Sequence, residues 1–321
     1  MGLSPLRRAL PATVAVLALA ASASPAGSRD EARIGLEDAH RFAAAFVAGD
    51  GLPTARALDA GYLRPATPAL AAFVPEYIVD AATLAQAVAD APGPYRHAVD
   101  ACLPMMARMG GFVQVVQLRY QELLPDAAPA AVVALFSTGN VAGTVVDGRI
   151  VLGLEKVCDG VSSEDGLRAR LRGLVAHEWV HTRQPPPSDA DRRDLLAWAL
   201  REGTANTLAA LVLGEATRAS DNAWAMQREG ELWTQFQRDR ATMRAHWPDG
   251  GEPDAEAIEA GTRWLWNSAA PDGRPADLGY WVGQRITQAW LSRQPDKAEA
   301  VRRMLAMASV DAFLAESGYA P

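Results

Sequence analysis

Residues 164–185 read EDGLRARLRGLVAHEWVHTRQP, and this stretch sets the architecture that we expect for the rest of the chain. Apolar residues recur along it at helical spacing, and Pro185 stops the pattern. Asp165 follows Ser162 by three residues, a spacing that resembles a capping box, and Ser163 is a second candidate for the cap. The sequence therefore predicts one amphipathic helix, with an apolar stripe of Leu167, Leu171, Leu174 and Val175.

The end of this predicted helix carries His177-Glu178-Trp179-Val180-His181, an H-E-x-x-H motif. Two histidines four residues apart lie about 40° apart around a helix axis, so both rings point to one side and can bind zinc as neutral imidazoles. Glu178 can reach a water on the metal without binding the metal, which is the position of a general base. Trp179 and Val180 face away and are expected to fix the helix in the core. The alternative is a surface helix whose histidines are incidental.

A catalytic zinc site needs a third protein ligand. The pattern H-E-x-x-H-x-x-G-x-x-H is excluded, because Gln184 and Pro187 occupy the positions of its glycine and third histidine. A carboxylate from the next helix is the better candidate, and Ser188 with Asp191 predicts the start of that helix after the proline run. Three further histidines are expected to be surface or core residues rather than ligands: His40, His97 and His246.

Glu202 is the candidate ligand in this second helix. It falls on the apolar side, where a carboxylate is costly to bury unless it is paired or bound to a metal. The alternative is an ordinary ion pair, for instance with Arg201. Gly203 permits a close helix–helix approach, and Asn206 is placed to accept the second N–H of His177. Three acids at the helix start are expected to be solvated caps: Asp189, Asp191 and Asp194.

The remainder of the chain divides into helical and extended patterns. Residues 24–130 are expected to be helical, and residues 131–184 combine strands with the motif helix. Ala131–Phe136 has the composition of a buried strand, and Asp147-Gly148 between two β-branched runs predicts a hairpin. Residues 185–321 are expected to be a helical C-terminal lobe. The predicted fold is therefore α+β, mostly α, a single domain with a small antiparallel sheet beside the motif helix.

The first 23 residues have the pattern of a signal peptide. Arg7 and Arg8 precede a short apolar run, and Ala21-Ser22-Ala23 supplies small residues for cleavage. An uncleaved anchor is the alternative. We expect the mature chain to be periplasmic or secreted, without a stable membrane span. Such a compartment permits Cys102 and Cys158 to pair, although two separate buried thiols fit the sequence equally well.

Composition excludes several classes of protein. Hydrophobic residues make up 49% and charged residues 21% of the 321 residues, which is ordinary for a globular protein and not for a disordered one. Two cysteines are too few for a disulfide-dense or cysteine-rich metal scaffold. The formal net charge of −7 argues against a nucleic-acid partner held by a basic face.

HEWVH is followed by REGTAN (residues 201–206), in which Glu202 comes twenty-one residues after His181, and this pattern resembles the gluzincin arrangement of zinc peptidases. The wider chain, from Ala131 to the C-terminus, is similar to a family of predicted bacterial zinc-dependent proteases, a domain of unknown function akin to gliding-motility lipoproteins. The looser matches are GNVAGT (139–144), IVLGLE (150–155), GYWVG (279–283) and LAESGY (314–319). This resemblance implies a zincin-like fold and zinc-dependent peptidase chemistry. The chain departs from the family because it has no lipid-attachment cysteine.

Peptide hydrolysis also needs a group that stabilises the developing oxyanion. Tyr280 is the candidate, with Arg285 as its alternative, and a purely structural aromatic is the competing interpretation. In zincin folds an edge strand pairs with an extended substrate, and the predicted hairpin could supply that edge or only pack the helix.

The sequence thus predicts an exported zinc metallopeptidase, with His177, His181 and Glu202 as zinc ligands and Glu178 and Tyr280 as catalytic groups. It acts on a peptide or protein. The rival functions are a catalytically silent zinc-binding envelope protein that acts as an assembly module, and a metal-free helical protein. The sequence leaves the substrate, endo- or exopeptidase action and oligomeric state open.

Overall fold

The computed structural model describes residues 33–109, 111–215, 219–267 and 273–321. These residues are mostly helical and include one small sheet, so the predicted α+β, mostly α class is confirmed. The predicted signal peptide, residues 1–23, lies outside the described residues.

The N-terminal part is helical, as predicted. Threonine and aspartate side chains begin several of its helices, because Thr54, Thr67 and Asp80 each accept a hydrogen bond from a backbone N–H of the first turn. Two π-helical turns, Asp59–Leu63 and Ala98–Cys102, continue the helices before them. The α-helices of this part are α1 (Glu37–Ala48), α2 (Ala55–Leu58), α3 (Pro68–Tyr77), α4 (Ala81–Asp90), α5 (Pro92–His97), α6 (Leu103–Met106) and α7 (Phe112–Leu123).

The four strands form one mixed sheet, in the order β1-β2-β4-β3. They are β1 (Ile34–Gly35), β2 (Val132–Leu135), β3 (Gly143–Val146) and β4 (Arg149–Gly153). The predicted hairpin is confirmed, since β3 and β4 are antiparallel, and Asp147 and Gly148 between them have φ of 48° and 69°. Positive φ at both turn residues is typical of the tight turn that suits twisted strands.

The expectation of an antiparallel sheet is wrong, because β2 runs parallel to both β1 and β4. The chain leaves β2, places β3 at the outer edge and returns as β4 between them, so β4 has the same direction as β2. The long helical connection from β1 to β2 gives the other parallel pair. The two residues of β1 are too few to give a periodic signal in the sequence.

The motif helix is α9 (Glu164–His181), which follows the short α8 (Leu154–Val157). Ser163 caps it, since its side chain accepts from the N–H of Gly166. Trp179 and Val180 are buried as predicted, and the Trp179 ring stacks on Tyr120 with centroids 3.9 Å apart. This packing fixes the rotation of α9, so its other side must present the histidines.

Among the described residues after Pro187, all regular structure is helical. The helices are α10 (Asp189–Arg192), α11 (Leu195–Leu213), α12 (Ala219–Met226), α13 (Glu229–His246), α14 (Ala255–Thr262), α15 (Leu278–Ser292), α16 (Lys297–Leu305) and α17 (Val310–Ser317).

The helix that carries the candidate ligand Glu202 starts later than predicted. Ser188 and Asp191 form a capping box, but they begin only the single turn α10. Asp194 begins α11, and the expectation that it is solvated is wrong: it is buried and accepts two hydrogen bonds from Arg240, at 2.7 and 2.8 Å. Burial alone would raise the pKa of Asp194, but the Arg240 guanidinium holds it below the ordinary value.

Helices α11 and α15 touch at two glycines. A Cβ on Gly203 would lie 2.0 Å from the carbonyl carbon of Gly283, and a Cβ on Gly283 would lie 1.7 Å from the carbonyl oxygen of Ala199. The close approach predicted for Gly203 is therefore confirmed. Only glycine allows this distance between the two helices. The close approach brings Tyr280 of α15 near Glu202 of α11.

Cys102 and Cys158 form a disulfide, which resolves the two alternatives that the sequence left open. The bond joins the helical N-terminal part to the residue after α8, 56 residues apart. A cross-link of this length restricts the unfolded chain strongly.

We expect the double variant Cys102→Ser/Cys158→Ser to lose about 2–5 kcal/mol of stability. Urea unfolding followed by circular dichroism measures this loss as a lower midpoint. The wild type in reductant is the control and should approach the variant. Equal midpoints for oxidised wild type and variant would contradict the expectation.

In the part of the chain that the structure describes, no single helix combines the length and the hydropathy of a membrane span. The consecutive helices Pro68–Tyr77 and Ala81–Asp90 meet those criteria only when taken together across their 71° bend.

Candidate metal centre

Three side-chain atoms converge where α9 meets α11. Nε2 of His177 lies 3.1 Å from Oε2 of Glu202, Nε2 of His181 lies 3.2 Å from the same oxygen, and the two nitrogens lie 3.1 Å apart. Three ligands of a tetrahedral zinc ion with bonds of 2.0–2.1 Å are about 3.3 Å from one another. The structure thus brings together the three predicted ligands at a spacing that suits a small metal ion, and the cluster is a potential metal site.

The outer nitrogen of each ring meets an amide oxygen. Nδ1 of His177 lies 3.0 Å from Oδ1 of Asn206, and Nδ1 of His181 lies 2.7 Å from Oε1 of Gln184. The Gln184 amide is oriented by a second bond, because its Nε2 donates to the carbonyl oxygen of Arg201 at 3.0 Å. Each Nδ1 must therefore donate, which leaves each neutral ring with a lone pair on Nε2.

This arrangement needs a positive charge at its centre. Two imidazole lone pairs and a carboxylate oxygen that point at one another repel unless a cation or a proton lies between them. Within the described residues, His177, His181 and Glu202 are the group identified as able to hold a metal. The other histidines are placed as expected: His40 is exposed, His97 contacts the Val161 carbonyl, and His246 pairs with Asp254.

The contact of Asn206 with His177 agrees with the prediction, whereas the role of Gln184 was missed. Gln184 follows His181 by three residues. In the sequence it indicated only that the glycine of the H-E-x-x-H-x-x-G-x-x-H pattern is absent. We expect Gln184→Ala to weaken zinc binding about 10–100-fold, because the ring loses the group that fixes its tautomer and direction.

Competition with a fluorescent zinc chelator measures this change in affinity. The matched control is Gln237→Ala, an exposed glutamine of α13. An unchanged zinc affinity in Gln184→Ala would show that the amide does not orient His181.

Glu178 lies beside the ligands and against the edge strand. It is buried and lines the same cleft, and a Cβ on Gly143 would lie 2.9 Å from its Oε1. Gly143 thus leaves the space that the Glu178 carboxylate occupies. Burial raises the pKa of Glu178 above its ordinary value, although the two histidines oppose the change.

Among the described residues, no strand pairs with the outer edge of β3, which lies next to Glu178. The N–H of Gly153 donates to the carbonyl of Ala142 at 3.0 Å, which sets the alternation of bonded pairs along the hairpin. By this alternation, the N–H and C=O groups of Gly143 and Val145 point away from β4, toward the open edge. An extended chain can pair with them.

Tyr280 is at the site, and Arg285 is not. The Tyr280 ring stacks on His177 with centroids 6.0 Å apart and lines the cleft. Burial, followed by the nearby Glu202 carboxylate, raises the pKa of Tyr280 well above its ordinary value, so the phenol keeps its proton. The alternative, Arg285, instead forms an ion pair with Glu229 at 2.7 Å.

The N-terminal helices supply one wall of the cleft, which the sequence did not reveal. The Tyr77 hydroxyl lies 3.0 Å from Oγ1 of Thr144 in β3, and the Tyr77 carbonyl accepts from Thr138 and from Asn140. Glu155, which is buried, accepts hydrogen bonds from the backbone N–H groups of Ser137 and Gly139. These contacts fix the loop that leads from β2 to the edge strand. The resulting cleft has a volume of about 360 Å³.

Glu202 and His181 stabilise each other's charged forms in the absence of metal. Burial would lower the pKa of His181, but the Glu202 carboxylate outweighs it and raises that pKa to about 9. Burial likewise opposes ionisation of Glu202, yet His181 and His177 lower its pKa well below the ordinary value. The metal-free cluster therefore holds a proton at neutral pH.

We expect zinc binding to release about one proton per ion at pH 7, because the ion displaces the proton of His181. Since that group is protonated below a pKa of about 9, zinc affinity should rise about tenfold per unit between about pH 6 and 8. Calorimetry in two buffers of different ionisation enthalpy measures the release. His246→Gln is the control and should not alter it. An affinity independent of pH in this window would contradict the assignment.

Comparison with known proteins gives no relative: no family model, no curated protein and no solved structure matches the chain.

Proposed function

We propose that this chain is a zinc-dependent metallopeptidase of the gluzincin type. His177, His181 and Glu202 would hold the ion, and Glu178 would act as the general base. The observation that carries the proposal is the triangle of two imidazole nitrogens and one carboxylate oxygen, with sides of 3.1–3.2 Å, next to a second carboxylate that is not part of it. Structural zinc sites usually have four protein ligands, whereas three protein ligands leave a position for water or substrate.

The surroundings support hydrolysis of an extended peptide. The motif helix α9 packs against both the edge strand β3 and α11, the helix with Glu202, and this proximity supports a zincin-like site. A peptide paired with Gly143 and Val145 would pass directly by the Glu178 carboxylate. Gly143 is essential here, because a side chain at this position would collide with Glu178 and Leu174.

The proposed reaction assigns one task to each residue. Zinc, when bound, would lower the pKa of a water molecule to about 7 and polarise the substrate carbonyl. Glu178 accepts the proton of the attacking water and later passes it to the leaving amine. Tyr280, which stays protonated, donates a hydrogen bond to the developing oxyanion. Asn206 and Gln184 fix the tautomer and the orientation of the two imidazoles.

Export from the cytoplasm is part of the proposal. The signal-peptide pattern of residues 1–23 supports it, and so does the Cys102–Cys158 disulfide, since such bonds persist in oxidising compartments. These two observations support a periplasmic or secreted location.

The test combines metal analysis with peptide profiling. We expect the purified chain to bind one zinc ion and to cleave members of a diverse peptide library. Cleavage should stop on chelation and return when zinc is added. A protein without metal would rule out the metallopeptidase. A protein that binds zinc but cleaves no peptide would favour the silent zinc-binding module instead.

A further inference from the structure

Trp266 lines the cleft, yet the proposed reaction gives it no task. Its side chain is 57% exposed, although tryptophan is highly buried on average. Its φ is 56°, in the left-handed region that bulky residues rarely occupy. A strained backbone persists only where the surrounding contacts fix it, and such positions cluster at functional sites.

The contacts that hold Trp266 are clear. Its ring meets the Trp198 ring edge-to-face, with centroids 4.9 Å apart and planes at 81°. The next residue, Asn267, exchanges two hydrogen bonds with Asp277: each backbone N–H donates to the other's side-chain oxygen, at 3.1 and 3.0 Å. Asp277 directly precedes α15, the helix of Tyr280. These contacts hold the exposed indole at the cleft that Tyr280 also lines.

Glu76 is the second cleft residue without a task. It is exposed and precedes Tyr77 at the end of α3. Glu76 and Tyr77 both line the cleft, and the Tyr77 hydroxyl contacts Thr144 of the edge strand. Among the described residues that line the cleft, none is lysine or arginine.

Glu76 lies on the cleft lining apart from the candidate metal ligands and Glu178. Among the other described residues that line the cleft, it is the charged one. Its carboxylate is negative near neutral pH. An acidic substrate residue would be repelled there, and a basic one would be attracted.

We propose that Glu76 and Trp266 form a subsite that binds the cationic side chain of a lysine or arginine in the peptide substrate. The inference rests on the proposed function and names its substrate class. Indole is the best aromatic partner for a cation, and a carboxylate supplies the counter-charge. A cleft of about 360 Å³ is at the small end of ligand sites, so one bound segment reaches all of its walls.

The test measures binding, so that it does not depend on turnover. A set of short peptides carries either lysine or its neutral isostere norleucine, and this residue is moved one position at a time along the sequence. Calorimetry measures their affinity for the zinc-loaded full chain carrying Glu178→Gln. For at least one position of this residue, we expect the lysine peptide to bind about tenfold more tightly than the norleucine peptide.

Adding Glu76→Gln or Trp266→Ala to the same protein should reduce this preference to about threefold or less. The affinity for the norleucine peptide should stay within about twofold in Glu76→Gln. Glu252→Gln, an exposed glutamate outside the cleft lining, is the matched control and should keep the full preference. The proposal is overturned if the lysine peptide binds no more tightly than the norleucine peptide at any position, or if the preference for lysine remains in both variants.

Cleavage assays on the wild type separate the two proposals. Lysine-selective binding without cleavage of any peptide supports the subsite and rejects the peptidase. Cleavage without selectivity for basic residues supports the peptidase and rejects the subsite.

Discussion

Glu178→Gln is expected to lower kcat for peptide cleavage by about 10²–10⁴-fold and to leave zinc content unchanged. Glutamine has the size of glutamate but accepts no proton, and the ligand triangle does not include Glu178. Because burial disfavours the charged carboxylate, the neutral amide should also unfold at the same temperature as the wild type or a higher one.

Steady-state kinetics, metal analysis and a thermal melt measure these three properties on one preparation. Glu122→Gln, an exposed glutamate of α7, is the control and should behave as the wild type in all of them. A Glu178→Gln protein that cleaves at the wild-type rate would show that another group accepts the proton. A variant that loses zinc would show that Glu178 holds the ligands rather than the water.

Gly203→Ala is expected to cost about 3 kcal/mol of stability or more, and to weaken metal binding as well. The added methyl would lie 2.0 Å from the Gly283 carbonyl carbon and 2.3 Å from the Gln284 nitrogen. These are backbone atoms, so no change of rotamer relieves the collision and the two helices must separate. Glu202 is the neighbouring residue, and the distance between its carboxylate and Tyr280 would change with them.

Urea unfolding and zinc titration measure both effects. Gly173→Ala is the matched control: this glycine is inside α9, and no atom lies within 4 Å of the added Cβ. Since alanine favours a helix, that variant should gain up to about 1 kcal/mol. If Gly203→Ala unfolds at the wild-type urea concentration and binds zinc normally, the contact between α11 and α15 is not what positions Glu202.

The candidate metal ligands were predictable because their geometry is local. The spacing of His177 and His181 on one helix fixes their common direction, and an apolar helix face left Glu202 needing a partner. The hairpin was equally accessible, because Asp147-Gly148 accepts the two positive φ values that such a turn requires.

The residues that were missed act through contacts between distant segments. Gln184 faces His181 because Arg201 orients its amide, and Tyr77 reaches the edge strand from a helix 67 residues earlier. The local sequence places Asp194 as a solvated cap, but its hydrogen-bond partner Arg240 comes 46 residues later. Neither periodicity nor local spacing carries information of this kind. The strand order could not be predicted either, because β1 has only two residues and gives no periodic pattern.

The segment Pro185–Pro187 lies between α9 and α11, the two helices that carry the candidate ligands. Prolines limit how far this connector can bend, and the Arg201 guanidinium donates to the Pro185 carbonyl at 2.8 Å. Zinc fingers collapse when stripped of their ion, because nothing else assembles the ligands. Here the apolar packing of α9 and α11 and the contact of Arg201 with Pro185 do not involve the ion, so we expect the chain to tolerate exchange of one transition metal for another without refolding.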